Sequence, residues 1–196
     1  YVAAQEGHTN VLKLLLENSG DANQANNVGC TPVFAASQEG HMTALTLLLE
    51  NGGDANQAAI NGATPVYVAS QQGHTAALKL LLEIGGNVNQ AANDGGTPVC
   101  MASLQGHTAA LKLLLENGGD ANQAANDGGT PVFMASYEGH TAALELLLEH
   151  GGNVNQARDN GCTPVFIASY KGHTAALTLL LENSGDANQA NNVGCT

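Results

Sequence analysis

The dipeptide Gly-His occurs at positions 7, 40, 73, 106, 139 and 172, a constant interval throughout the chain. Thr-Pro keeps the same interval at 31, 64, 97, 130 and 163, and Thr196 stands where a sixth copy would begin. A register that never slips means that one supersecondary unit is used repeatedly, so the fold is decided within a single period and by how units stack. The segment LLLENSGDANQANNVGCT appears at 14–31 and again at 179–196, five periods apart, as expected of a chain cut from, or duplicated within, a longer array.

Within one period the residues predict two short helices and a turn. Thr130 can accept a hydrogen bond from an orphan amide at a helix start, and Pro131 suits the first helical position because its missing N–H had no partner there. That helix runs through VFMASYE and stops at Gly139, where glycine can adopt the left-handed conformation that ends helices. After His140 and Thr141, Ala143, Leu144, Leu147 and Leu148 recur at helical spacing and form one apolar face, with the helix ending at Gly151 or Gly152. Isolated helices of about ten residues are marginal in water, so each pair needs neighbours to bury its face. The Asn-, Asp- and Gly-rich NVNQARDNGC that follows reads as a turn or hairpin finger linking one pair to the next.

The 33-residue period, the Thr-Pro helix start, the A-x-x-G-H between helices, the Leu run and the closing G-D-x-N resemble the ankyrin repeat over all 196 residues. The resemblance implies an all-α solenoid of stacked antiparallel helix pairs joined by turn or hairpin fingers. Units are expected at 26–58, 59–91, 92–124, 125–157 and 158–190, with a partial unit at 1–25 and a stub at 191–196. Two departures from the family pattern stand out. The family's T-P-L-H reads TPVF, TPVY or TPVC here, which removes the usual Thr-to-His side-chain bond and leaves Phe34, Tyr67, Phe133 and Phe166 to contribute by packing between units. The turn glycine before the G-D pair is Ser19 in one copy and Ser184 in another, where a strained or shifted turn is expected.

Composition narrows the function classes. With 5 Lys plus Arg against 17 Asp plus Glu, the formal charge of −12 repels nucleic-acid phosphates and anionic lipid at long range and favours a basic partner. No apolar run approaches the ~18 to 20 residues of a membrane span, so neither nucleic acid nor membrane is an expected partner. Cys30, Cys100, Cys162 and Cys195 lack C-x-x-C spacing and read as free thiols of a cytoplasmic protein. A secreted effector or extracellular filament stays open as an alternative location.

Ser136, Glu138 and His140 form the cluster that most resembles a hydrolase fragment. Its copies argue otherwise: Ser and His recur down the array, whereas Glu138 becomes Gln72, Gln105 and Lys171, and a triad needs one nucleophile, one base and one orienting group. No catalytic residue, metal or cofactor is assigned. Histidines in equivalent positions of stacked helices lie about 8–10 Å apart, too far to share a zinc that needs nitrogens at about 2.1 Å. The same spacing argues against a Cys162–Cys195 disulfide. Glu17, Glu50, Glu83, Glu116, Glu149 and Glu182 read as a solvated edge, or as an acidic stripe for a Lys- or Arg-rich partner.

The ankyrin resemblance implies a non-enzymatic scaffold that binds another protein through the concave face of fingers and first helices. Those positions can be read directly in this chain. The finger positions run from Asn27, Val28 and Cys30 through Ile60, Asn61 and Ala63 to Asn93 and Asp94, Asn126 and Asp127, and Arg158, Asp159 and Asn160. The helix position two before each glycine reads Gln38, Gln71, Leu104, Tyr137 and Tyr170. Tyrosine and arginine bury large areas at low entropic cost, so we expect a recognition strip of Leu104, Tyr137 and Tyr170. Arg158, Asp159, Lys171, Asn126 and Asp127 flank it; drift among tolerated surface residues is the competing reading. A different alternative is a structural or elastic array whose exposed apolar ends associate head to tail into filaments. The resemblance also marks Asn56, Asn122 and Asn188 as possible hydroxylation positions.

Overall fold

The computed structural model describes residues 1–189; Ala190 and residues 191–196, and with them Cys195, Thr196 and the whole stub, lie outside the described residues. Twelve helices occupy the described residues, in six consecutive pairs. The inner row is α1 (Val2–Gln5), α3 (Pro32–Glu39), α5 (Pro65–Gln72), α7 (Pro98–Leu104), α9 (Pro131–Glu138) and α11 (Pro164–Lys171). The outer row is α2 (Thr9–Glu17), α4 (Met42–Glu50), α6 (Thr75–Glu83), α8 (Thr108–Glu116), α10 (Thr141–Glu149) and α12 (Thr174–Glu182).

The inner helices start as the Thr-Pro pairs require. Each threonine is extended, and its hydroxyl accepts the amide three residues on, as Thr130 Oγ1 does from Phe133 N–H at 3.2 Å. All five threonines are buried, so an otherwise orphaned donor is satisfied out of reach of water. Four of the five end at a left-handed glycine; α7 stops one residue early, at Leu104. The outer helices finish at glutamate, with His150 as the C-cap of α10, so the helix expected to reach Gly151 or Gly152 is shorter. Gly151 N–H turns back to the Leu148 carbonyl and Gly152 N–H to that of Leu147, which closes the helix before either glycine can extend it. In the copies that replace the first glycine, Ser19 and Ser184 sit at φ +66 and +68, the strained position expected.

Side-chain size differs between the two rows. Inner helices meet through Ala36, Ala69, Ala102, Ala135 and Ala168, all fully buried, whereas the outer row contributes Leu45, Leu78, Leu111 and Leu144. Small side chains let the inner helices pack more extensively against each other than the outer ones do. The apolar face of the outer helix is narrower than the spacing suggested: Ala143, Leu144 and Leu147 are buried, while Leu148 is only half-buried. Buried Ser37, Ser70, Ser103 and Ser136 each donate to the carbonyl four residues back, which satisfies hydroxyls placed between helices.

Two hydrogen-bond ladders lock the units together. On one side Asn23, Asn56, Asn89, Asn122 and Asn155 each donate Nδ2 to a carbonyl 29 residues on and accept at Oδ1 the amide 31 residues on. On the finger side, Ile60 N–H donates to the Val28 carbonyl, Asn93 to Asn61, Asn126 to Asp94 and Asp159 to Asp127. A third tie is the histidine of the Gly-His pair. The rings of His41, His74, His107, His140 and His173 lie over the inter-helix glycine of the preceding unit. His107, His140 and His173 also place Nε2 at 3.0–3.1 Å from the carbonyls of Gln71, Leu104 and Tyr137.

Candidate interaction surface

The suspected hydrolase cluster is dispersed into structural duties. Ser136 is fully buried with its hydroxyl on the Val132 carbonyl, and His140 spends Nε2 on the Leu104 carbonyl. Glu138 is exposed. No group of three or more His, Cys, Asp or Glu among the described residues is arranged to hold a metal ion.

Two residues of the expected strip, Tyr137 and Tyr170, each stack on a phenylalanine of their own helix. Phe133 and Tyr137, one helical turn apart on α9, stack with centroids 6.5 Å apart, and Phe166 and Tyr170 repeat the pair on α11 at 6.2 Å. Lys171 Nζ lies 4.1 Å from the Tyr137 ring centroid and the Arg158 guanidinium 5.0 Å from that of Phe133, two cation–π contacts that cross between units. Arg158 also pairs with Asp127 of the preceding finger, whose other carboxylate oxygen accepts Gly129 N–H. Tyr170 is 76% exposed, Tyr137 half-buried. Leu104 is half-buried against a second apolar cluster that includes Phe34, Tyr67, Cys100 and Met101. The carbonyls of Leu104 and Tyr137 receive the histidines of the following units, which ties the backbone beneath these two residues to the next unit.

The flanking residues divide. Asn126 is committed to the finger ladder, its N–H on the Asp94 carbonyl and its Nδ2 on that of Asn93. Asp159 gives its N–H to Asp127 and keeps an exposed side chain. Of the expected hydroxylation positions, Asn56 and Asn122 are ladder members, and Asn188 is exposed with its N–H on Asp186.

Two features escaped the sequence reading. Phe133 and Phe166 support the tyrosines, a relation signalled by aromatics four residues apart on a helix. The apolar fingertips Val28 and Ile60, 58% and 71% exposed, border a notch of about 280 Å³ lined also by Cys30, Phe34, Ala59 and Asn61. The sequence placed Val28 and Ile60 among the finger positions but did not show the notch between them. Burial pushes the Cys30 thiol up, and burial, followed by the charges of Asp94 and Cys100, pushes the Tyr67 phenol up to about 12.

Charge is distributed unevenly between the two faces. Lys13, Lys79 and Lys112 on the outer helices sit 3.8–3.9 Å from Glu17, Glu83 and Glu116 one turn on. All are exposed, so each pair contributes only about 0.3–0.5 kcal/mol. Among the described residues Lys171 is the lysine without a carboxylate within 4.0 Å. No helix of the described residues is long and apolar enough to cross a membrane.

Stacked helix pairs and in-register fingers define a repeat solenoid. A family model for ankyrin repeats, three copies long, matches residues 1–59, 43–125 and 100–192. The chain belongs to the ankyrin-repeat family, whose repeats mediate protein–protein interaction and are typically not enzymes. No curated protein matches it.

Proposed function

We propose that the chain is a protein-binding scaffold whose partner docks on the inner face, against Leu104, Tyr137 and Tyr170, with Arg158, Lys171, Asp127, Asp159 and Asn126 at the rim. The observation that carries this reading is the aromatic ridge: Tyr170 stands 76% exposed on a stacked phenylalanine base, beside Lys171 poised over Tyr137. A rigid, pre-stacked aromatic buries area with little entropy left to lose. The test is capture by the wild-type chain against a Tyr137→Ala/Tyr170→Ala variant, read by quantitative mass spectrometry together with thermal unfolding. Partners lost at unchanged helicity support the ridge; identical partner sets for both chains sink it.

A second reading is end-to-end self-association of the 196-residue chain. Among the described residues nothing lies within 4 Å of a Cβ at Gly172, where the equivalent inter-helix glycines carry the next unit's histidine ring, and His8 is exposed. A second copy placed in register sets its His8 there. A concentration-independent monomer mass in light scattering rules this out.

Hydroxylation of Asn56, Asn122 or Asn188 belongs with these proposals. In Asn56 and Asn122 the amide already bridges two units, so a modifying enzyme has to engage a locally opened chain.

A further inference from the structure

The inner face carries a feature that the aromatic ridge does not use. Val28 and Ile60 are the exposed aliphatic tips of adjacent fingers, tied by Ile60 N–H to the Val28 carbonyl at 3.0 Å. The equivalent positions in the fingers of the other complete units are Asn or Asp. The notch between the two tips is lined by Val28, Cys30, Phe34, Ala59, Ile60 and Asn61, with no charged group. At about 280 Å³ it falls just under the usual range for whole small-molecule ligands and suits a single branched side chain. Its floor is continuous with the ridge, because Phe34, Ala59 and Cys30 belong to the apolar cluster that ends at Leu104.

The next finger supplies the charge. Asn93 donates Nδ2 to the Ile60 carbonyl and its N–H to that of Asn61, which places Asp94 one finger on from the notch. Asp94 Oδ1 accepts Gly96 N–H; its Oδ2 makes no hydrogen bond or ion pair within the described residues. Asp127, one finger further, is already neutralised by Arg158. The aliphatic notch is therefore followed at one unit's spacing by an unpaired carboxylate, in a chain whose net charge is −12. Units stack at about 8–10 Å, a distance that three residues of polyproline-II chain span at about 3.1 Å each, with the first and fourth side chains on one face.

We infer that the notch at Val28 and Ile60 is a second anchor for the partner. Its occupant is a segment in the polyproline-II conformation carrying a leucine, isoleucine or valine with a lysine or arginine three residues away. This rests on the scaffold reading and extends it to the opposite end of the same face.

The test uses the intact chain and defined peptides. Ile60, Ile84 and Ile167 are the isoleucines of the sequence, so selective methyl labelling yields three signals, two of them internal controls. Blocked hexapeptides Ser-Leu-Ser-Ser-Lys-Ser and Ser-Lys-Ser-Ser-Leu-Ser are titrated to about 10 mM, a range that captures a single weak anchor. One of them shifts the Ile60 methyl saturably and leaves Ile84 and Ile167 in place. Replacing its lysine by glutamate weakens binding about threefold or more, and Asp94→Asn removes that preference. The inference is overturned if Ile60 fails to respond, if all three methyls move together, or if the leucine or lysine can be exchanged without effect. Since the ridge is read from Tyr137 and Tyr170 and the notch from Ile60, either can fail while the other stands.

Discussion

Gly106→Ala isolates how one unit is held to the next. Gly106 has φ +70, and a left-handed alanine costs about 1–2 kcal/mol before any contact is counted. A methyl there lies 2.7 Å from His140 Nδ1 and 2.8 Å from Cε1 and Cγ, closer than real contacts allow, so the ring must leave the glycine. Its departure breaks the 3.1 Å bond from Nε2 to the Leu104 carbonyl, which is about 1 kcal/mol, and opens a gap under the ring. The expected loss is about 2–4 kcal/mol. Gly118→Ala is the control, because its φ of +83 is as unfavourable but nothing lies within 4 Å of the new methyl. It should cost only the backbone part, about 1–2 kcal/mol. Urea denaturation followed by circular dichroism measures both, with unfolding slopes compared because repeat arrays can lose all-or-none behaviour. In a His140→Ala background Gly106→Ala should fall to the control value, a coupling that a double-mutant cycle reads directly. Equal losses for Gly106→Ala and Gly118→Ala would refute the claim that the histidine ring, and not the backbone alone, makes glycine obligatory here.

Asn122→Ala removes the donor to the Gly151 carbonyl at 2.9 Å and the acceptor for Asn153 N–H at 2.7 Å. A loss of about 1–3 kcal/mol is expected, with faster hydrogen exchange at the Asn153 amide; unchanged exchange there would argue against the ladder. Tyr67 supplies an alkaline signature. Its folded value of about 12 lies above the ordinary 10.0, so its contribution is complete below pH 10 and is lost as pH rises towards 12, to a limit of about 2–3 kcal/mol. Tyr67→Phe should flatten the decline between pH 10 and 12, and an identical slope in both proteins would contradict the assignment.

Much of this was legible in the sequence because periodicity, capping and turn chemistry are local. Thr130, Pro131 and Gly139 announce a helix wherever they sit, and equivalent residues do so in the other units. Comparison of copies likewise pointed to framework roles for Ser136 and His140 without coordinates, since framework residues repeat down the array. The outer helix ended short of Gly151 because closure depends on which carbonyl each amide reaches, a choice that the residue letters leave open. The notch at Val28 and Ile60 was invisible for a related reason: its walls come from two fingers and a helix start.

The sequence by itself determined the unit, its repetition and the acidity of the whole, all of which follow from residue type and spacing along the chain. Only the tertiary structure decided which groups meet across units. It set the rings of His41, His74, His107, His140 and His173 on the inter-helix glycine of the unit before, Arg158 on Asp127 of the preceding finger and Lys171 above Tyr137. The physical reason is that stacking converts a separation of one period into a contact, while side-chain bulk, small on the inner row and large on the outer, sets which of the possible contacts are close enough to form.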